Sequence, residues 1–229
     1  MKLTWFGHSA FRVEVNDQVI LIDPYLKENP SFDGDFAEAV KGATHVIATH
    51  GHFDHLGDAR EICEHTGAVF ISTYEVCNFV QLDNAEPMNT GGRISVHGFD
   101  VAFTPAWHSS SHDGHDLGAA CGVVILPHDG DMRLYHAGDT GLFSDMRLIE
   151  ELYRPRVGLI PIGDRFTMGP HTAAYACREF FDFDVIVPMH WGSFPIIEQT
   201  PDNFLEEMGP LREKVRVMRP GETITLPPA

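Results

Sequence analysis

Basic residues are scarce. Sixteen Lys and Arg stand against 33 Asp and Glu, a formal net charge of −17. Nucleic acid and anionic membrane surfaces are gripped through concentrated Lys and Arg, so neither is expected as a partner. A small substrate, even an anionic one, stays compatible, because metal ions or a single arginine can make a local positive pocket in an acidic chain. Cysteine is sparse too. Cys63, Cys77, Cys121 and Cys177 form no C-x-x-C pair and fall in apolar or helical patterns, which predicts buried free thiols. Long apolar runs are missing, which excludes membrane insertion through a helix of about 20 residues. The opening Met1–His8 lacks the basic and apolar regions of a secretion signal, so a cytoplasmic protein is expected. No low-complexity tract, short-period repeat or linker composition divides the chain, and residues 1–229 are read as one domain. With 43% hydrophobic residues, that length can bury a core without disulfide staples.

What is present is a repeated alternation of short β-prone runs and helical patterns. Phe11, Val13 and Val15 alternate, Asn16-Asp17 turns the chain, and Val19–Ile22 runs on as a buried strand, together a hairpin. Helical patterns follow at 36–40, 58–66 and 74–82, with strands at 45–49 and 69–71 between them. The middle differs. Runs at 93–96, 101–104, 122–126 and 132–135 read as an antiparallel meander, interrupted by a polar, His- and Ser-rich loop over 107–116. Alternation then resumes, with helical spacing from Leu142 to Tyr153, a strand at 157–162, a helical face from Ala173 to Phe181, a strand at 184–188, a helix at 202–214 and closing strands at 215–226. Two β-rich halves, each flanked by helices, predict an α/β (α+β) chain folded as a four-layer αββα sandwich.

The densest chemistry lies in Thr49-His50-Gly51-His52-Phe53-Asp54-His55-Leu56-Gly57. Three imidazoles and one carboxylate project from one tight segment between a strand and a helix, with no lysine among them to repel a cation. His and Asp are the N and O donors that Zn²⁺ and its first-row neighbours accept. Further donors recur where β runs end: His108, Asp139 between two glycines, and His190 before Trp191-Gly192. At least one of His108, His112 and His115 should face the site. Strand ends of a layered α/β fold converge at one rim. Seven donors there, His50, His52, Asp54, His55, His108, Asp139 and His190, are too many for one tetrahedral ion and suit two ions sharing a carboxylate. His8 and Asp23 also stand near strand ends, where a plain turn role competes with a site role.

These residues carry a resemblance. Trp5-Phe6-Gly7-His8-Ser9, Leu21-Ile22-Asp23-Pro24, the His50 loop, His108-Ser109-Ser110, Tyr135-His136-Ala137-Gly138-Asp139-Thr140-Gly141, Pro161-Ile162-Gly163, Phe166-Thr167-Met168-Gly169-Pro170 and Pro188-Met189-His190-Trp191-Gly192 resemble the metallo-β-lactamase superfamily. The likeness is nearest to its group of metal-dependent hydrolases related to ascorbate-6-phosphate lactonase, and more distant to the phospholipase D that releases N-acylethanolamines. It implies the metallo-β-lactamase fold, with His50, His52 and His108 on one ion, Asp54, His55 and His190 on a second, and Asp139 bridging. Asp23 corresponds to an aspartate that orients a ligand histidine, and His8 is placed beside the metals. His171 stands where relatives would carry Glu or Lys, and is read as a surface residue.

The expected activity is hydrolysis of a small-molecule ester, lactone or amide by a metal-bridged hydroxide, with Asp54 orienting the nucleophile. Zinc is the expected metal, and manganese, nickel and iron fit the same donors. Arg165, just past a strand end, is a candidate for holding a substrate phosphate or carboxylate, and His8 for binding substrate or protonating a leaving group. Two other readings are a phosphodiesterase acting on a nucleotide or phospholipid headgroup, and a metal-holding protein without catalysis.

Overall fold

In a computed structural model, residues 1–226 are described. Two sheets face each other. The first has seven strands in the order β13-β1-β2-β3-β4-β5-β6: β13 (Thr223–Thr225), β1 (Lys2–Trp5), β2 (Phe11–Val15), β3 (Gln18–Ile22), β4 (His45–Ile47), β5 (Val69–Thr73) and β6 (Ala85–Met88). The second has six in the order β12-β11-β10-β9-β8-β7: β12 (Val185–Met189), β11 (Val157–Pro161), β10 (Leu134–His136), β9 (His115–Pro127), β8 (Phe99–His112) and β7 (Arg93–Val96). Strands β3 to β6 run parallel to one another, as do β10 to β12.

Side-chain alternation explains the layering. On β9, Val123 and Ile125 point between the sheets, while Val124 and Leu126 pack against helices. On β3, Ile20 and Ile22 join the inter-sheet core, and Leu21 faces the helices of the other side. A strand buried on both faces must be apolar at every position, which is why these runs lack a polar period. Four helices cover the first sheet: α1 (Phe36–Val40), α2 (Phe53–Leu56), α3 (Ala59–Thr66) and α4 (Tyr74–Val80). Three cover the second: α5 (Met146–Tyr153), α6 (Pro170–Glu179) and α7 (Asp202–Glu207). This is the αββα sandwich read from the sequence. All four cysteines are free and buried. No described helix is long and apolar enough to cross a membrane.

Several local expectations change. The polar stretch 107–116 is not a loop. It forms the paired ends of β8 and β9, which turn at Asp113-Gly114, with Asp113 and Gly114 both at positive φ. Its hydrophilicity reflects a two-stranded arm reaching past the core, with its polar side chains mostly exposed or half-exposed. Strand β6 is not among the elements read from the sequence; its Pro87 is tolerated because β6 lies at the sheet edge. The helix predicted over 202–214 breaks at Gly209-Pro210, where the chain tightens into a 3₁₀ turn over Gly209–Lys214. Of the closing segment, Val215 makes only an isolated bridge with Ile186, and Thr223–Thr225 alone is a strand.

Candidate metal centre

Each donor leaves the C-terminal end of a strand or sits on one. The His50 loop follows β4 and winds into the single turn of α2, which carries Asp54 and His55 on successive positions. Gly57 ends that turn at φ 43°, where an added Cβ would lie 2.7 Å from Pro24 O and from Tyr25 Cα, so the loop can pack this closely only with glycine there. Asp23 follows β3, the strand beside β4. His108 lies on β8, Asp139 follows β10 and His190 follows β12.

These side chains meet in three overlapping groups whose ligand atoms lie within 4.8 Å of one another: His50, His52 and His108; His50, His55 and Asp139; and His8, Asp54, His55 and His190. In the first, His52 Nδ1 is 3.0 Å from His50 Nε2 and 3.2 Å from His108 Nε2. Burial holds His50 well below the ordinary imidazole range, with the nearby His55 adding to the effect, and burial also lowers His52 and His108. Asp139 spans the groups. Its Oδ2 lies 3.1 Å from His190 Nε2 and 3.5 Å from His108 Nε2, and its Oδ1 lies 3.2 Å from His55 Nε2.

Burial alone would raise the two acids. It is outweighed at Asp139 by His190 and His55, and at Asp54 by the hydrogen bond with His8 and by His55, so both carboxyls sit well below the usual range. Burial would likewise lower His55, but Asp139 and Asp23 reverse it and hold its pKa well above normal. The donor set therefore offers ionised carboxylates beside three neutral imidazoles, while His55 would have to release a proton to a bound cation. An independent sign of fit is that His55 Nε2 and Asp139 Oδ1 are buried without a hydrogen-bond partner. They face each other across 3.2 Å without hydrogen-bonding geometry. Buried polar atoms left this way cost free energy unless something else satisfies them, and a cation between them would.

A second set of contacts aims the donors. Asp23 Oδ1 accepts from the Thr49 backbone N–H at 2.7 Å. Its Oδ2 accepts from Thr49 Oγ1 at 2.8 Å and from His55 Nδ1 at 2.7 Å. With its proton given to Asp23, Thr49 Oγ1 accepts from His50 Nδ1 at 2.9 Å. One buried carboxylate thereby turns the Nε2 atoms of both His50 and His55 toward the centre. His8, Asp23 and His190 are all non-glycine residues at positive φ (52°, 48° and 59°), so backbone strain is concentrated at this rim.

His8 does not face solvent. It is fully buried, its Nε2 is 3.1 Å from Asp54 Oδ2, and its Nδ1 is 2.6 Å from Ser193 Oγ. Burial, reinforced by His190, lowers its pKa to about 4, so the ring is neutral, takes the Ser193 proton at Nδ1 and donates Nε2–H to Asp54. Where the sequence points to substrate binding or proton donation by His8, the structure shows both ring nitrogens engaged by Asp54 and Ser193. Arg165 is exposed, with its guanidinium 5.9 Å from the Phe166 ring centroid, and it joins none of the three donor groups. Of the other histidines, His112 donates Nδ1–H to Gly51 O at 2.8 Å and braces the loop, His115 is exposed, and His171 is exposed and pairs with Glu207 at 3.2 Å.

Thr49, Ser110 and Ser193 were not foreseen. Ser110 Oγ accepts from the Gly51 backbone N–H at 3.0 Å, which ties the loop to β8. The available signal was proximity, since Thr49 precedes His50 and Ser193 follows His190 by three positions. Short hydroxyls are too common for that alone to mark them.

Comparison with known proteins bears on the family and the fold. The family described as the beta-lactamase superfamily domain matches residues 2–190. A UPF0173 metal-dependent hydrolase of Methylocella silvestris is 52% identical over 216 residues, covering 91% of this chain and 93% of that protein. A metallo hydrolase from the hyperthermophilic archaeon Ignicoccus hospitalis superposes with a TM-score of 0.88 at 40% identity, covering 99% of this chain and 98% of that one. An isothiocyanate hydrolase from Delia radicum gut bacteria shares the fold, with a TM-score of 0.77 at 21% identity and 99% of each chain covered.

Proposed function

Because the chain belongs to the metallo-β-lactamase superfamily, and within it to the UPF0173 metal-dependent hydrolases, we propose that it is a binuclear hydrolase acting on an ester, lactone or amide in a small molecule. The observation that carries this reading is Asp139, whose Oδ2 reaches nitrogens of both His108 and His190 while Oδ1 reaches His55. A carboxylate so placed belongs to two adjoining sites. His50, His52 and His108 would hold one ion, Asp54, His55 and His190 the other, with Asp139 shared. Zinc suits this mix of imidazole and carboxylate donors, and manganese, nickel or iron would be accepted by the same set. Two divalent cations supply Lewis acidity and a lowered pKa for water near neutral pH.

The side chains do the rest. Asp54 commits Oδ2 to His8, which leaves its other oxygen to face the ion and the attacking water. The neutral His8 ring, anchored by Ser193, prevents Asp54 from turning away. His52, Asp54 and His108 keep part of their surface in solvent, so a carbonyl group can approach from that side. The same opening argues against a purely structural metal store, whose ligand set would be closed. The phosphodiesterase reading finds less support. Among the described residues, no lysine or arginine hydrogen-bonds or ion-pairs with a donor of the centre, so a second phosphate contact has no basic partner.

The test is turnover of a panel of lactones, thioesters and phosphodiesters by protein reconstituted with each metal in turn, with metal content read by mass spectrometry. Ester or lactone hydrolysis should rise with loading and level off at two equivalents. Full activity at one equivalent would remove the binuclear reading. Full activity of His50→Ala would remove the enzyme reading altogether.

A further inference from the structure

Beside the Asp54 half of the centre stands a wall of aromatic rings that the hydrolytic chemistry does not use. Phe53, between the donors His52 and Asp54, leaves 55% of its surface in solvent. Its ring stands edge-on to Tyr25 at 5.8 Å between centroids and edge-on to Phe194 at 6.2 Å. Phe194 stacks on Tyr25 at 6.4 Å and meets the His8 ring edge-on at 5.3 Å. The Tyr25 hydroxyl donates to Glu28 O at 2.5 Å, so this residue offers the wall its ring alone.

A single exposed phenylalanine is ordinary on a protein surface. Three rings packed together, one of them fixed between two metal donors and open to solvent, form an apolar surface continuous with a reaction centre. Other side chains give a charged substrate little to hold, since the chain carries a net charge of −17 and no described basic residue pairs with the centre.

Resting on the hydrolase reading, we infer that Phe53 and Phe194, backed by the buried Tyr25 ring, form the specificity surface of the site, and that its substrates are neutral molecules bearing an aromatic or bulky apolar group next to the scissile carbonyl. Water adds to that carbonyl, the bond from carbonyl carbon to leaving oxygen or nitrogen breaks, and the leaving atom takes up a proton. The apolar group meanwhile rests on the Phe53 and Phe194 rings. Burial of such a group against the wall favours an aryl substrate over its methyl counterpart by about tenfold or more.

The experiment uses the full chain loaded with zinc and two substrates, ethyl phenylacetate and ethyl acetate, followed by proton release at constant pH. Wild-type kcat/KM should favour the phenylacetate by about tenfold, and Phe53→Ala and Phe194→Ala should each bring the ratio to within about threefold, chiefly through KM. Leu152→Ala, an exposed apolar residue on α5, serves as control and should keep the wild-type ratio. Binding is read separately by calorimetry with benzohydroxamate and acetohydroxamate. The benzo compound should bind about tenfold tighter, and both phenylalanine variants should lose that margin. If neither ester is hydrolysed but this margin and its loss persist, the ester chemistry fails and the wall stands. If both esters are hydrolysed with no aryl preference in the wild type, or with the same ratio in the two variants, the wall is overturned and the hydrolase stands. Sedimentation that finds an oligomer dissociated by Phe53→Ala would assign the rings to an interface and also overturn the inference.

Discussion

The first sheet delivers four donors from one short segment after β4, while the second delivers His108, Asp139 and His190 from three separate strand regions. The two rims are also supported differently. Donors of the first are aimed by a hydrogen-bonded scaffold of Asp23, Thr49, His8 and Ser193. On the second rim, His190 has a buried Nδ1 with no partner and is placed through its backbone, whose N–H donates to His8 O at 3.0 Å, and by close packing on Gly163. Side-chain hydrogen bonds orient one half; strand packing and glycine orient the other.

Substitutions can break this comparison at different points. Asp139 belongs to both halves, so Asp139→Ala should have the largest effect, a loss of at least about 10³ in kcat/KM with weaker binding of both metal equivalents. Metal titration that showed only one equivalent affected would mean the carboxylate is not shared. Gly163→Ala tests the packing half without removing a donor. Its Cβ would collide with His190 O and come within 2.6 Å of His190 Nδ1. Loss of one metal equivalent and about 10² in activity is expected, with the other equivalent retained.

Asp23→Asn tests the scaffold half. The amide keeps one acceptor oxygen but loses the charge shared by His55 and Thr49, so metal affinity should fall by about 10- to 100-fold. Unchanged affinity in a competition assay would show that the His55 ring is held by packing alone. His8→Ala should cost about tenfold in kcat with weaker binding of one metal equivalent, and His8→Gln, whose side-chain N–H can still reach Asp54, should recover much of it. Equal losses in both variants would mean that His8 acts only through its bulk. The smallest effect belongs to Thr49→Val, which breaks the link between Asp23 and His50 and should lower stability by about 1–3 kcal/mol, measured by thermal denaturation.

Much of this site was legible in the chain because its densest part is local. A donor-rich loop compressed into six positions after a β run declares itself, since three imidazoles and a carboxylate there have few uses other than holding a cation. Asp139 was legible for a similar reason, being a carboxylate held between glycines at a strand end. The surroundings of His8 and Arg165 were not. A side chain's reach toward solvent or toward Asp54 depends on neighbours far away in sequence, and Ser193, the residue that anchors His8, is 185 positions from it. The arm at 107–116 was misread for a related reason. Its polar composition is that of a loop, while its pairing depends on a partner strand that local pattern does not identify.

By itself, the order of residues determined the layered architecture and the donor types. Apolar runs without a polar period must be buried on both faces, and imidazoles with carboxylates select divalent cations. Only tertiary packing decided which atoms face one another: that Asp139 reaches nitrogens from both sheets, that Asp23 serves two histidines at once, and that aromatic rings gather on one flank of the centre. These are matters of a few tenths of an ångström between residues distant along the chain. They are set by how two twisted sheets meet at a rim, which no local pattern encodes.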